Sequence, residues 1–231
     1  MNYAIIAAGE GSRLAQEGIT LPKPLVKLNG KEMISRLIDI FLKNNAESIN
    51  IIVNEQMTMV QEYISHIKLD IPFNVVIKST PSSMHSFFEL RNYLRGGKFC
   101  LTTVDTVFKE KDFTAYIQSF IKDNASDGMM AVTDYIDDEK PLYVDVDNDM
   151  NIKGFLDSSE SCKYISGGIY GLTPKAIDTL EKCLSEGQAR MRNYQRQLVA
   201  DGLNLKAYAI PKILDVDHAE DIKKAEAFLS E

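Results

Sequence analysis

IIAAGEGSRLAQEGITLPKPLVKL, residues Ile5 to Leu28, is the stretch on which the reading of this chain turns. Tyr3 to Ala8 is a short apolar run that predicts a buried strand. It passes directly into Gly9-Glu10-Gly11-Ser12-Arg13, where two glycines free the backbone to turn its N–H groups outward. Donors turned toward one point form a nest for an anion, and Arg13 can add a forked guanidinium to phosphate oxygens. In Pro22-Lys23-Pro24 each proline fixes its own φ and pushes the residue before it toward extended geometry. Lys23 is therefore expected on a stiff, extended segment, where it can serve as a fixed point charge for phosphate. The dinucleotide fingerprint needs a small residue at its third glycine position, and Leu14 stands there, which disfavours nicotinamide binding.

Working outward, apolar runs alternate with amphipathic stretches. Strands are expected at Tyr3 to Ala8, Ser48 to Val53, Phe73 to Ile77, Phe99 to Val104, Met129 to Thr133, Tyr164 to Leu172 and Leu205 to Ile210. Helices are expected at Lys31 to Asn45 (stripe Ile34, Leu37, Ile38, Phe41, Leu42), Glu55 to Ile67, Ser86 to Leu94 and Asp112 to Lys122 (Phe113, Ile117, Phe120, Ile121). Further helices are expected at Pro174 to Leu184, Met191 to Ala200 and Ala219 to Leu229. Tyr143 to Val146, the Asp147-Asn148-Asp149 turn and Asn151 to Phe155 read as a hairpin. The pattern predicts an α/β fold: a mostly parallel central sheet, helices on both faces and a small antiparallel segment, in a single domain over residues 1–231.

Hydrophobic residues make up 45% of the 231 positions and charged residues 26%, ordinary for a globular protein with a full core. The net charge of −7 argues against a nucleic-acid surface. No apolar run reaches the length of a bilayer span, so no membrane partner is expected, and a cytoplasmic location is. Cys100, Cys162 and Cys183 have no paired spacing, which suits a reducing compartment. Association into a homo-oligomer is left open.

Asp105 follows the run Phe99 to Val104, at the carboxyl end of a strand where ligands of open α/β sheets gather; position alone allows equally that it begins a turn with Thr106. Asp217, with Glu220 three residues on, reads as a capping-box helix start, and one carboxylate oxygen can cap while the other meets a cation.

AAGEGSRL (Ala7 to Leu14), then PKPL (Pro22 to Leu25) and the turn Val26 to Lys31, resembles the signature of the sugar-1-phosphate nucleotidylyltransferases, which have a nucleotide-diphospho-sugar transferase-like fold. The resemblance implies nucleotidyl transfer: a phosphate oxygen of the acceptor attacks the α-phosphorus of a nucleoside triphosphate, and pyrophosphate leaves. In it Arg13 and the amides of Gly9, Gly11 and Ser12 hold the β and γ phosphates, and Lys23 stabilises charge at the reacting phosphorus. Arg13 and Lys23 are thus the catalytic pair. The resemblance assigns Asp105 and Asp217 to Mg²⁺, the second through LDVDHAEDI (Leu214 to Ile222), which looks like the family's DVDTPEDL ending; Asp215 is the substitute. A phosphate monoester is already ionised, so none of His66, His85 and His218 is needed as a base.

Ala7 and Ala8 let the base lie against the backbone, and Thr80, Ser82 and Ser83 stand where the family reads it, with the alternative that they form an ordinary helix start. ISGGIY (Ile165 to Tyr170) resembles the family's NAGIY, which places Gly167, Gly168 and Tyr170 at the acceptor, or else marks a bulge. Asp157-Ser158-Ser159 replaces the family's usual Glu-Lys pair. Lys153, Lys163, Arg190 and Arg192 are unranked substitutes for the missing cation, and the acceptor is a sugar 1-phosphate, a polyol phosphate or phosphocholine. Two readings compete: a metal-dependent glycosyltransferase using an Asp-x-Asp, at Asp145 to Asp147 or Asp215 to Asp217, and a nucleotide sensor without turnover. Arg13 with Lys23 weighs against the first, being equipment for a triphosphate's leaving group.

Overall fold

The computed structural model describes residues 1–137 and 139–231, and the opening apolar run is its central strand, β1 (Asn2–Ala7). Tyr3, Ile5 and Ala7 point into one hydrophobic core, while Ala4, Ile6 and Ala8 point into a second on the other side of the sheet. A strand covered on both faces has no polar alternation, which is why it reads as a continuous apolar run.

The glycine turn leads into a short helix, α1 (Ser12–Gln16), then a 3-10 turn (Lys23–Leu25) and a small antiparallel pair, β2 (Lys27–Leu28) and β3 (Lys31–Glu32). There follow α2 (Met33–Lys43), β4 (Ser48–Val53), α3 (Thr58–Ser65), β5 (Phe73–Ile77) and α4 (Ser83–Leu90). β6 (Phe99–Thr103), the two-residue β7 (Thr106–Val107), α5 (Glu110–Lys122) and β8 (Gly128–Thr133) come next. The hairpin β9 (Tyr143–Val146) and β10 (Ile152–Leu156) precedes β11 (Tyr164–Leu172). The chain closes with α6 (Lys175–Ser185), α7 (Met191–Ala200), β12 (Leu205–Ala209), β13 (Leu214–Asp215) and α8 (Ala219–Ser230).

The main sheet runs β10-β9-β11-β6-β1-β4-β5, with β8 on β11 and β12 on β8. β6, β1, β4 and β5 are parallel, as the α/β rhythm requires, and β11 runs antiparallel to β6, β8 and β9. Helices α2, α3, α5 and α8 bury apolar stripes in the core that holds Tyr3, where its ring stacks on Phe41 at 4.3 Å. Helices α4, α6 and α7 cover the other face through Phe87, Leu180 and Leu198 among others.

Two expected stripe residues lie outside. Leu42 and Ile121 are exposed, because each follows the last buried residue of its stripe, Phe41 and Phe120, and one step turns about 100° round a helix. Helix α4 begins three residues before the expected Ser86, at Ser83, because the Ser82 hydroxyl accepts the His85 N–H and caps it; the chain continues past Leu90 as a 3-10 turn (Arg91–Tyr93).

Parallel β1, β4 and β6 end on one side of the sheet, so the glycine turn, Asn54 and Asp105 leave it side by side. A second, two-stranded sheet completes that edge. β13 pairs antiparallel with β7 (Leu214 opposite Val107, Asp215 opposite Thr106), and the Val216 N–H donates to the Asp105 carbonyl at 3.1 Å. This pairing carries the Asp215 to Asp217 segment across more than a hundred residues of sequence to Asp105.

Candidate active site

Lys23 is the centre of the site. Its Nζ donates to Asp105 Oδ2 and to Asp217 Oδ1, each at 2.6 Å, and Arg13 Nη1 donates to the other oxygen of Asp217 at 3.0 Å. The lysine is 8% exposed, the charged tip of a buried stem. Burial works against its charge, but the charges and hydrogen bonds of Asp105 and Asp217 outweigh it and hold its pKa above the ordinary value, so the group is an ammonium. Contrary to the expected extended geometry, Lys23 opens the 3-10 turn, with Leu25 N–H on the Pro22 carbonyl at 2.8 Å and Val26 N–H on the Lys23 carbonyl at 3.1 Å. Pro24 tolerates this because the first turn of a helix asks nothing of its missing N–H. Stiffness survives; extension does not.

Gly11 brings the glycine turn onto this lysine. Its φ of +63° lies in the left-handed region, and a Cβ there would come 3.1 Å from Lys23 Cβ. Beside it Gly9, Ser12 and Arg13 are exposed, and the amides of Gly9, Glu10 and Gly11 donate to no partner among the described residues. Ala7 and Ala8 are buried in the two cores, and the Ala8 carbonyl accepts from Asn54 Nδ2 at 3.2 Å, so both side chains serve packing at the end of β1.

The capping box falls one residue later than expected. The N-cap of α8 is His218, and the Asp221 carboxylate accepts from the backbone N–H of both His218 (2.8 Å) and Asp217 (3.1 Å). Asp217 is thereby relieved of capping, and its two oxygens face Lys23 and Arg13. Asp215 opens onto the cleft, yet its enclosure on the cleft floor, with the negative charges of Asp105 and Asp217, pushes its carboxyl up to about 7. Asp145 is exposed, and Asp147 is spent on the hairpin turn, accepting from the N–H of Asp149 and Asn151 and pairing with Lys153 at 2.9 Å. The acid pattern at 145–147 is structural.

A groove runs from these charges along β11. One cavity of about 500 Å³ is lined by Arg13, Asp217, Asp215, Ser166 and Gly167, and an adjoining one of about 470 Å³ by Ser82, Ser83, Gly168, Tyr170 and Arg190; Asp215 and Ser166 line both. Thr80 is turned away, its hydroxyl 2.6 Å from that of Ser86. Ser82 lines the cavity while capping α4. Gly167 and Gly168 lie at a register shift between β11 and β8, and the close approach Gly167 permits is to this chain itself: a Cβ there would fall 2.3 Å from Ile213 Cδ1. They form a bulge that seats the segment bearing Asp215. Tyr170 is buried, and burial raises its phenol far above the ordinary range.

Of the four substitute cations, Lys153 is tied to Asp147, Lys163 lies 3.6 Å from Asp134, and Arg192 pairs with Asp157 at 2.6 Å. Arg190 is exposed and makes no ion pair among the described residues. Asp221 and Glu17, which hold the start of α8, carry no assignment from the sequence; His218-x-x-Asp221 is a visible signal for the first, whereas Glu17 has none.

A family model described as nucleotidyl transferase matches residues 3–231. The bifunctional protein GlmU of Methanococcus maripaludis is 22% identical over 237 residues, which cover 97% of this chain and 53% of that protein. The 2-aminoethylphosphonate cytidylyltransferase of Lancefieldella rimae is 26% identical over 114 residues, covering 48% of this chain and 45% of that one. The chain spans about half the length of these curated relatives at most. The solved structure of the inositol-1-phosphate CTP transferase from T. maritima shares the fold, with a TM-score of 0.82 at 20% identity over 100% of this chain and 96% of that one.

Proposed function

The chain belongs to the nucleotidyl transferase family, and from that premise we propose that it transfers a nucleoside monophosphate from a nucleoside triphosphate to a phosphorylated small-molecule acceptor, releasing pyrophosphate. One observation carries the reading: a buried ammonium, Lys23, bridges two carboxylates at 2.6 Å each, with Arg13 and the glycine turn beside it. That is equipment for a reaction between two anions, in which neutralising charge and aligning the reactants supply most of the rate.

Asp105 and Asp217 offer oxygen donors only, which fits Mg²⁺: it needs few protein groups when phosphate oxygens and water complete its shell. These two residues would hold it, and when bound it would supply Lewis-acid neutralisation of the triphosphate. Arg13 and the free amides of Gly9 to Gly11 bind the β and γ phosphates, and Lys23, on its 3-10 turn, meets the charge that develops at the α-phosphorus. The acceptor's phosphate oxygen forms the new bond to that phosphorus as the bond to the β-phosphate breaks. No side chain needs to take a proton.

Ser82, Ser83, Gly168 and Tyr170 line one cavity, so base and acceptor share the groove, and Arg190, the one of the four candidate cations without an ion pair among the described residues, receives the acceptor's phosphate. The acceptor is a sugar 1-phosphate, with polyol phosphates and phosphocholine to be tried beside it. Unpaired Cys100, Cys162 and Cys183 suit a cytoplasmic enzyme, and no helix among the described residues is long and apolar enough to cross a membrane. The test is pyrophosphate release, with the four nucleoside triphosphates first ranked with Mg²⁺ by the rise in melting temperature each produces. Consumption of a nucleotide sugar without pyrophosphate would favour the glycosyltransferase, and triphosphate binding without turnover on any acceptor the sensor.

A further inference from the structure

Three polar ties hold the stretch from α1 to the 3-10 turn to the segment bearing Asp217 and the start of α8. Two of them, Arg13 and Lys23 to Asp217, use groups that the proposed reaction turns toward phosphate. The third uses none. Glu17, the C-cap residue of α1, accepts the Ala219 N–H at 2.6 Å through one carboxylate oxygen and lies 2.6 Å from His218 Nδ1 through the other.

Resting on the reading above, we propose that Glu17 is a positioning residue: a latch that keeps α1, and Arg13 with it, registered on the start of α8 while the triphosphate draws Arg13 and Lys23 off Asp217. Three features build the argument. First, α1 is weakly held otherwise, since Leu14 is its one buried residue and residues 15–18 are exposed. Second, Glu17 follows Arg13 by four residues, and its N–H donates to the Arg13 carbonyl at 3.1 Å, so the two side chains share one face of the helix. Fixing one fixes the direction of the other.

Third, the latch closes on the N-terminus of α8, whose first amides are donors that lack partners within their helix. Asp221 takes the amides of Asp217 and His218, and Glu17, from 202 residues away, takes that of Ala219. A carboxylate there is favoured by the helix dipole, and a charged hydrogen bond is about twice as strong as a neutral one. Glu17 touches no phosphate and no acceptor; it acts through Arg13.

The experiment compares wild type, Glu17→Ala and Glu17→Gln by amide hydrogen exchange over residues 12–18 of the free protein and by the affinity for the Mg²⁺ complex of the triphosphate that most raises the melting temperature. In Glu17→Ala, exchange in α1 quickens, the dissociation constant and KM for triphosphate rise about tenfold, and kcat at saturation changes far less. Glu17→Gln, which keeps an acceptor for Ala219, recovers part of both effects. Unchanged exchange in Glu17→Ala, or quickened exchange with unchanged triphosphate affinity, overturns the latch alone. Wild-type protein that binds none of the four triphosphates overturns the functional reading and the latch's purpose together.

Discussion

The two ends of the groove are held in opposite ways. Around Lys23 each charge is already spoken for: the ammonium by Asp105 and Asp217, Asp217 by Arg13 as well, and the start of α8 by Asp221 and Glu17. Around Arg190 and Tyr170 the cavity is lined by a helix cap, a bulge and an exposed arginine without an ion pair among the described residues. The first end is preorganised for a ligand common to a whole reaction class, and the second is a surface on which acceptors can be exchanged without disturbing the chemistry. A lattice of charges tolerates little substitution, whereas a charge outside such a lattice tolerates much.

The hardest blow to that contrast is Lys23→Met, which keeps the stem and removes the charge. Turnover should fall about a thousandfold, as when one group aimed at transition-state charge is lost, with native circular dichroism retained. Asp105→Ala should likewise abolish metal-dependent turnover in a folded protein. Retained activity in either variant would mean that the lattice is structural. At the other end Arg190→Gln should raise the acceptor's KM about tenfold and leave the KM for triphosphate unchanged, because one charge-assisted phosphate contact is lost. Steady-state kinetics with each substrate varied in turn separates the two, and an effect on triphosphate instead would merge the two ends.

The smallest effect concerns Asp215, whose carboxyl is pushed up to about 7. The folded protein binds this proton more tightly than the unfolded chain, so the contribution is full below the ordinary carboxylate value of about 4 and is lost as pH rises toward 7. Asp215→Asn escapes that loss. Its melting temperature should gain on wild type across this interval and hold the gain above it, modestly because the side chain opens to water. A gain independent of pH would show that the carboxylate pays no such cost.

The same contrast separates what could be read in the sequence from what could not. β1, β4 and β11 are legible because burial on both faces, or a long apolar run, imposes a pattern on consecutive residues, and the half-exposed edge strand β5 shows through its β-branched Val75, Val76 and Ile77. The glycine turn and the prolines around Lys23 carry local backbone constraints, so the phosphate end was visible in outline. The pairing of β7 with β13 was not, since two-residue strands have no period and their partners lie more than a hundred residues apart. Yet that pairing brings Asp105 to Asp217. The cap of α8 was misplaced by one residue because acids at both 217 and 221 fit the motif, and only the fold decides which one faces Lys23. Arg190 could not be ranked above Lys153, Lys163 or Arg192, because an ion pair with a distant aspartate leaves no mark in the local sequence.

The most direct measurement is a crystal structure with a non-hydrolysable triphosphate analogue and Mg²⁺. Arg13 and Lys23 should both lie within hydrogen-bond distance of its phosphates, with the cation on Asp105 and Asp217. A triphosphate bound away from these four residues, with the Lys23 bridge undisturbed, would contradict the assignment.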